Sequence, residues 1–200
     1  LSSCARMALE KSANSCIAKH NYEIEIEHFF LELLQQNSKN DLQLLLAKYK
    51  ISTDSLIDDL KQSIAQLPKG NNRTPVFAKS IIHLLEQAWL LASAEQKPVI
   101  RSGHLLVVLL TASGLYQIAG RASSLFDLFP IDTMKHHFLE ICLHSIEHQS
   151  EQVLDNHHPT KDNKSSEQIS KKTPALDQFT SNLTEKAKNG EIDPVIGREF

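Results

Sequence analysis

The sequence predicts an all-α protein built from a duplicated four-helix unit, and three observations carry that prediction. Apolar residues recur at intervals of three and four along most of the first 148 positions, the spacing of one face of a helix. No stretch alternating apolar with polar extends beyond residues 22–27, too little for a strand of ordinary length. Residues 8–34 also align without a gap on residues 84–110, and seven of the 27 positions are identical. Chance gives about two such matches, so the chain reads as a repeat.

Helical spacing runs over residues 4–19, 27–36, 41–48, 53–66, 75–95, 103–112 and 132–148. Ser52 and Asp132 stand where an N-cap is needed, since their side-chain oxygens can accept from a first-turn N–H. Pro68 and Gly70 stop the fourth segment, and Pro98 follows the fifth. Beyond the matched stretch each copy continues with a short helix and then a longer one, so residues 53–66 correspond to 132–148. Each copy, about 4–67 and 77–148, carries a one-sided apolar face. Two such faces bury each other, giving one pseudo-twofold domain over residues 1–148.

Residues 149–173 hold only Val153, Leu154 and Ile169 as large apolar side chains. Such a stretch buries too little surface to offset its chain entropy and reads as a flexible linker. From Pro174 the pattern resumes with Leu176, Phe179 and Leu183, ending at Asn189-Gly190. That is a short amphipathic helix opening a third section, 174–200.

Composition excludes several classes of function. With 21 Lys+Arg against 24 Asp+Glu the net charge is −3, without the basic excess of a nucleic-acid binder. Apolar runs such as 105–110 fall far short of the ~20 residues that span a bilayer. Cys4, Cys16 and Cys142 form neither a disulfide framework nor a metal motif, and three free thiols fit a reducing cytoplasm. The chain opens on Leu1 already in a helical pattern, which predicts a removed N-terminal segment. No GxxxxGK[ST] phosphate loop occurs in the 200 residues, so this polypeptide is expected to hydrolyse no ATP.

His144, Glu147 and His148 fit H-x-x-E-H, the pattern of an inverted zinc protease. Two His at i and i+4 share a helical face, with Glu147 as a potential base. No third ligand is evident and the motif sits at a polar helix end, so a solvated end is the reading taken. His28 and His104 hold equivalent places near two helix starts and are read as capping and packing groups. Glu10 and Glu86, also equivalent, are read as their partners. Trp89 is read as a core residue. Ala5, Leu9, Ser12, Ala13 and Cys16 form a stripe of small residues on the first helix, with Met7, Ala8 and Ser15 around it. Ala5, Met7, Ala8, Leu9, Ser12 and Ser15 are the candidate lining of a groove for a partner helix.

Two signatures, YEIEIEHFFLELL and PVIRSGHLLVVLL, resemble the double Clp N-domain of the Hsp100/Clp AAA+ unfoldases. The stretch LDQFTSNLTEKAKNGEIDPVIGREF resembles the entry to the first ATPase module of that family, in family order. HNYEIEIEH, GNNRTP, EQAWLLAS and IRSGHLL resemble the ClpV branch, the type VI secretion ATPases, more than the ClpB disaggregases. The resemblance implies a substrate-recognition domain at the head of a hexameric ATPase that uses ATP and Mg. It implies a helix of a type VI sheath subunit as partner or, on the ClpB alternative, unfolded protein segments. It also places Val195 and Ile196 beside the adenine in a full-length protein. The isolated chain is expected to be monomeric.

Overall fold

A computed structural model of the chain describes residues 1–155. The C-terminal section, with Leu176, Phe179, Leu183, Val195 and Ile196, lies outside them, as does most of the stretch read as linker.

The first copy comprises α1 (Ser3–Ala18), α2 (Ile26–Leu34), α3 (Asp41–Lys48) and α4 (Thr53–Gln66). The second comprises α5 (Lys79–Ala94), α6 (Ser102–Thr111), α7 (Ser113–Ala122) and α8 (Ile131–Ile141), with a 3-10 turn at Ser124–Leu128 before α8. A further helix, α9 (Ile146–Asp155), follows. Two short strands, β1 (Glu23–Ile24) and β2 (Val76–Phe77), pair in parallel.

Backbone geometry repeats with the sequence. The Ser2 N–H donates to the Ile100 carbonyl at 2.8 Å, and the Ala78 N–H to the Ile24 carbonyl at 3.1 Å. Each pair maps onto the other when the copies are exchanged, so each copy's first helix starts on the other's extended segment. The ends of those helices also match. His20 and Gln96 both take φ 56°. The next N–H turns back on the helix, Asn21 to the Cys16 carbonyl at 3.1 Å and Lys97 to the Ala92 carbonyl at 2.8 Å. This left-handed cap ordinarily favours glycine. Gln96→Gly, at an exposed site, is therefore expected to stabilise the fold by about 0.5–1 kcal/mol, read as a higher Tm in a thermal melt. An unchanged or lower Tm contradicts it.

Helices α2 and α6 form the centre. All of α2 except Glu32 is buried, and α6 is buried from Ser102 to Leu110. A helix apolar all round belongs inside. Phe29, Phe30, Leu33, Leu42, Leu45, Leu105, Leu106 and Leu109 join one core, with Phe30 and Phe126 edge to face at 6.2 Å. Gly103 marks the tightest approach: a Cβ there would stand 2.7 Å from the Phe138 ring and 3.0 Å from an Asp41 carboxylate oxygen. Gly103→Ala is expected to cost about 1–3 kcal/mol by overpacking. Chemical denaturation checks this, and an unchanged midpoint would show that Phe138 gives way freely.

The structure alters several expectations. Ser52 caps α4, accepting from the Ser55 N–H at 3.2 Å, but Asp132 lies inside the first turn of α8 and Pro130 holds the cap position. Helix α5 starts at Lys79 rather than at 75, because Val76 and Phe77 pair with β1. Residues 132–148 are not one helix. The Arg101 Nη2 donates to the Cys142 carbonyl and the Ser145 hydroxyl, both at 3.1 Å. Ser145 then caps a new helix by accepting from the His148 N–H at 3.0 Å. Helix α9 continues through Asp155, so residues 149–155 of the stretch read as linker are helical. Trp89 is 54% exposed. Ile81, Leu84, Ala88 and Ala92 fill the buried stripe of α5, and Trp89 lies about 100° round the helix from Ala88.

Candidate partner-binding groove

Beside the candidate groove lies a buried polar junction that joins four helices. Glu147, in the first turn of α9, is 1% exposed. Its carboxylate accepts from the Ser2 hydroxyl at 2.5 Å, the Asp41 N–H at 2.9 Å and the Ser102 N–H at 2.9 Å. The Ser102 hydroxyl also donates to it. Ser2 caps α1 by accepting from the Ala5 N–H at 3.2 Å, and Asp41 and Ser102 open α3 and α6. One carboxylate thus answers the unpaired N–H groups at two helix starts and holds the cap of a third. Burial, then the neighbouring Asp41 charge, raises its carboxyl above the usual range, while the Ser102, Ser2 and Asp41 donors pull the other way.

Arg101 supplies the positive charge. Its Nε and Nη2 reach the two Asp41 oxygens at 2.8 Å each, a bidentate pair with both side chains fully buried. Its Nη1 also meets His148 Nδ1 at 3.2 Å.

The groove opens beside this junction. Ser3, Cys4, Met7 and Lys11 of α1 form one wall, residues 35–38 the second, and Ile146 of α9 the third of an open depression of roughly 450 Å³. Met7 is 47% and Ile146 40% exposed. The middle wall is held by its own amides: the Gln36 Nε2 donates to the Cys4 carbonyl at 2.8 Å, and the Gln43 Nε2 to the Gln36 carbonyl at 2.7 Å. The chemistry on offer is two apolar side chains, a lysine and a rim of amide groups. That suits an amphipathic segment bearing an apolar anchor and an acidic or polar neighbour.

Of the six residues expected to line a groove, only Met7 presents a large apolar side chain outward. Ala5, Ala8 and Ser12 are fully buried, because the small stripe faces α2 and lets the two helices approach. Leu9 packs against the core and Ser15 is half-buried. Lys11, Gln36 and Ile146 were not foreseen, since they come together only in the fold.

The paired histidines cap as expected. Nδ1 of His28 accepts from the Glu25 N–H at 3.2 Å and Nδ1 of His104 from the Arg101 N–H at 3.0 Å. Their outer partners differ from expectation. His28 Nε2 meets Asn21 Oδ1 at 3.3 Å and His104 Nε2 meets Glu95 Oε2 at 2.9 Å, whereas Glu10 and Glu86 are exposed. With Nδ1 accepting, each ring is neutral and donates through Nε2, so the His104–Glu95 contact is a hydrogen bond rather than an ion pair. Burial lowers the pKa of His28 to about 4 and that of His104 to about 3, with Lys19 adding to the first and Arg101 and Lys97 to the second.

The zinc reading does not survive this geometry. His144 is exposed while Glu147 points inward with its oxygens taken. No group of three His, Cys, Asp or Glu side chains is placed to hold a metal among the described residues. The solvated-end reading fails equally, because Glu147 is buried.

The helical duplication buries a shared core and leaves a groove walled by α1, residues 35–38 and α9. The Clp repeat (R) N-terminal domain family matches residues 1–121, and the chain belongs to that family. It is similar to the chaperone protein ClpB of Yersinia enterocolitica, 31% identical over 195 residues, which cover 95% of this chain and 22% of the relative. Among solved structures, the N-domain of ClpV from Vibrio cholerae is 27% identical with a TM-score of 0.65, covering 74% of this chain and 87% of that one. A complex of a ClpV N-domain with a VipB peptide is 31% identical with a TM-score of 0.63, covering 74% and 89%. The chain spans about a fifth of the length of the curated relatives it matches.

Proposed function

We propose that this chain is the recognition domain of a ClpV-type Hsp100 ATPase and that its groove takes an amphipathic helix of a type VI sheath subunit. The observation that carries the reading is the groove of Met7, Lys11 and Ile146 on a fold that resembles a ClpV N-domain bound to VipB peptide. In the full-length protein, ATP and Mg would power a hexameric ring that unfolds the captured subunit. Val195 and Ile196 would lie at its nucleotide site. A single small groove supports affinity on the order of micromolar, about −8 kcal/mol, and six copies on one ring add avidity.

Co-sedimentation of the 200-residue chain with contracted and extended sheaths tests this. Pelleting with contracted sheath alone is expected, and Met7→Glu is expected to weaken it at least about tenfold by placing a charge against the apolar anchor. Equal pelleting of Met7→Glu and wild type would remove the groove from the account. The identity to ClpB supports a second reading, in which the same groove holds apolar segments of unfolded proteins. Competition by an unfolded protein, with no preference for contracted sheath, would favour it.

A further inference from the structure

Helix α9 does two things at adjacent residues. Ile146 forms the third wall of the groove, and Glu147 enters the polar junction. The Ile146 N–H also donates to the Lys39 carbonyl at 3.1 Å, just beyond the groove's middle wall. That middle wall is in turn tied to α1 through Gln36 and the Cys4 carbonyl. The only side chain that α9 sends into the cap of α1 is Glu147, among the hydrogen bonds of the described residues.

We propose that Glu147 is a positioning residue for partner binding: its carboxylate fixes the start of α9 against α1, α3 and α6 and so sets Ile146 as a groove wall. The inference rests on the partner reading above and adds the residue that builds the site. At 1% exposure Glu147 acts on a partner only through Ile146. A partner that closes on Ile146 favours the docked α9, and by linkage a docked α9 favours the partner. The titratable and charged groups around Glu147 are Asp41 of α3, the Cys4 thiol of α1, the Cys142 thiol at the end of α8 and, through Asp41, Arg101.

Glu147→Gln keeps the volume but replaces one oxygen with an NH₂. Since both oxygens accept backbone N–H groups, either Asp41 or Ser102 loses its acceptor. Ile146→Ser removes the wall and leaves the junction intact. Anisotropy of a labelled VipB peptide on the full chain, with amide hydrogen exchange of the free protein, reads both. Glu147→Gln is expected to speed exchange at Asp41 or Ser102 and to weaken the peptide roughly tenfold. Ile146→Ser should weaken it similarly without altering exchange. Their combination should be little worse than either, because both act through one wall. Faster exchange with wild-type affinity overturns the proposal and leaves Glu147 purely structural. Should Glu147→Gln fail to fold, wild-type affinity in Ile146→Ser overturns it as well. Wild type that fails to bind the peptide defeats the partner reading and this inference with it, a result separate from any loss confined to the variants.

Discussion

Arg101→Met is expected to cost the domain about 3–5 kcal/mol, the loss typical when one partner of a buried ion pair is removed. The guanidinium and the Asp41 carboxylate are both fully buried, in two parallel contacts of 2.8 Å. Met fills a similar volume, so little of the penalty comes from a cavity. Arg101 also holds the Cys142 carbonyl and Ser145, so the start of α9 loosens with it. Against a total stability of roughly 5–15 kcal/mol, this is enough to unfold a large fraction of the protein when warmed. The double variant Arg101→Met with Asp41→Asn should recover part of the loss, since no bare charge remains. Guanidinium titration measures both. A loss under about 1 kcal/mol in the single variant would mean that water reaches Asp41 and that the pair is not buried in the sense argued.

The second large effect is acid sensitivity. His28 and His104 titrate near 4 and 3 in the fold, against 6.5 ordinarily. Their folded values are depressed, so below pH 6.5 the unfolded chain takes up protons that the folded chain refuses. Stability from the two rings is whole above about pH 6.5 and declines as pH falls toward 4. By pH 5 each ring has lost about 2 kcal/mol. Glu27 and Glu147 work in the opposite sense. Burial raises both above the usual carboxylate range, so protonation in acid relieves them and tempers the fall. His104→Asn separates the contributions. Its amide oxygen can replace Nδ1 as acceptor for the Arg101 N–H, but it does not titrate. Chemical denaturation between pH 5 and 7.5 should give a shallower slope for the variant. Parallel slopes would show that His104 is protonated in the fold, paired with Glu95.

Much of this architecture is legible in the sequence because it is local. Three-four spacing marks α1 to α6, Ser52 marks a cap, and the shift between copies marks the duplication that the equivalent ends of α1 and α5 at His20 and Gln96 repeat. What the sequence hides is rotation about a helix axis and contact at long range. Trp89 and Ala88 are adjacent in sequence, yet one faces solvent and the other the core. The small stripe of α1 is visible, but its direction toward α2 is not, so Ala5, Ala8 and Ser12 read equally well as groove lining. Glu147 meets partners 106 and 45 residues away, which no spacing rule anticipates. One signal was available: Arg101 replaces Glu25 just before the duplicated histidine's helix. A charge reversal at a repeated position asks for a new counter-charge, and Asp41 is that group.

On the proposed reading the partner lies between α1 and α9. Mapping the backbone amide shifts of the full chain during titration with VipB peptide tests it most directly. Perturbations are expected to cluster at Met7, Lys11, residues 35–38 and Ile146, with Ile82, Trp89 and Leu90 of α5 unmoved. Perturbations centred on Trp89, with the Met7 and Ile146 amides silent, would contradict it and place the partner on the other exposed helix face.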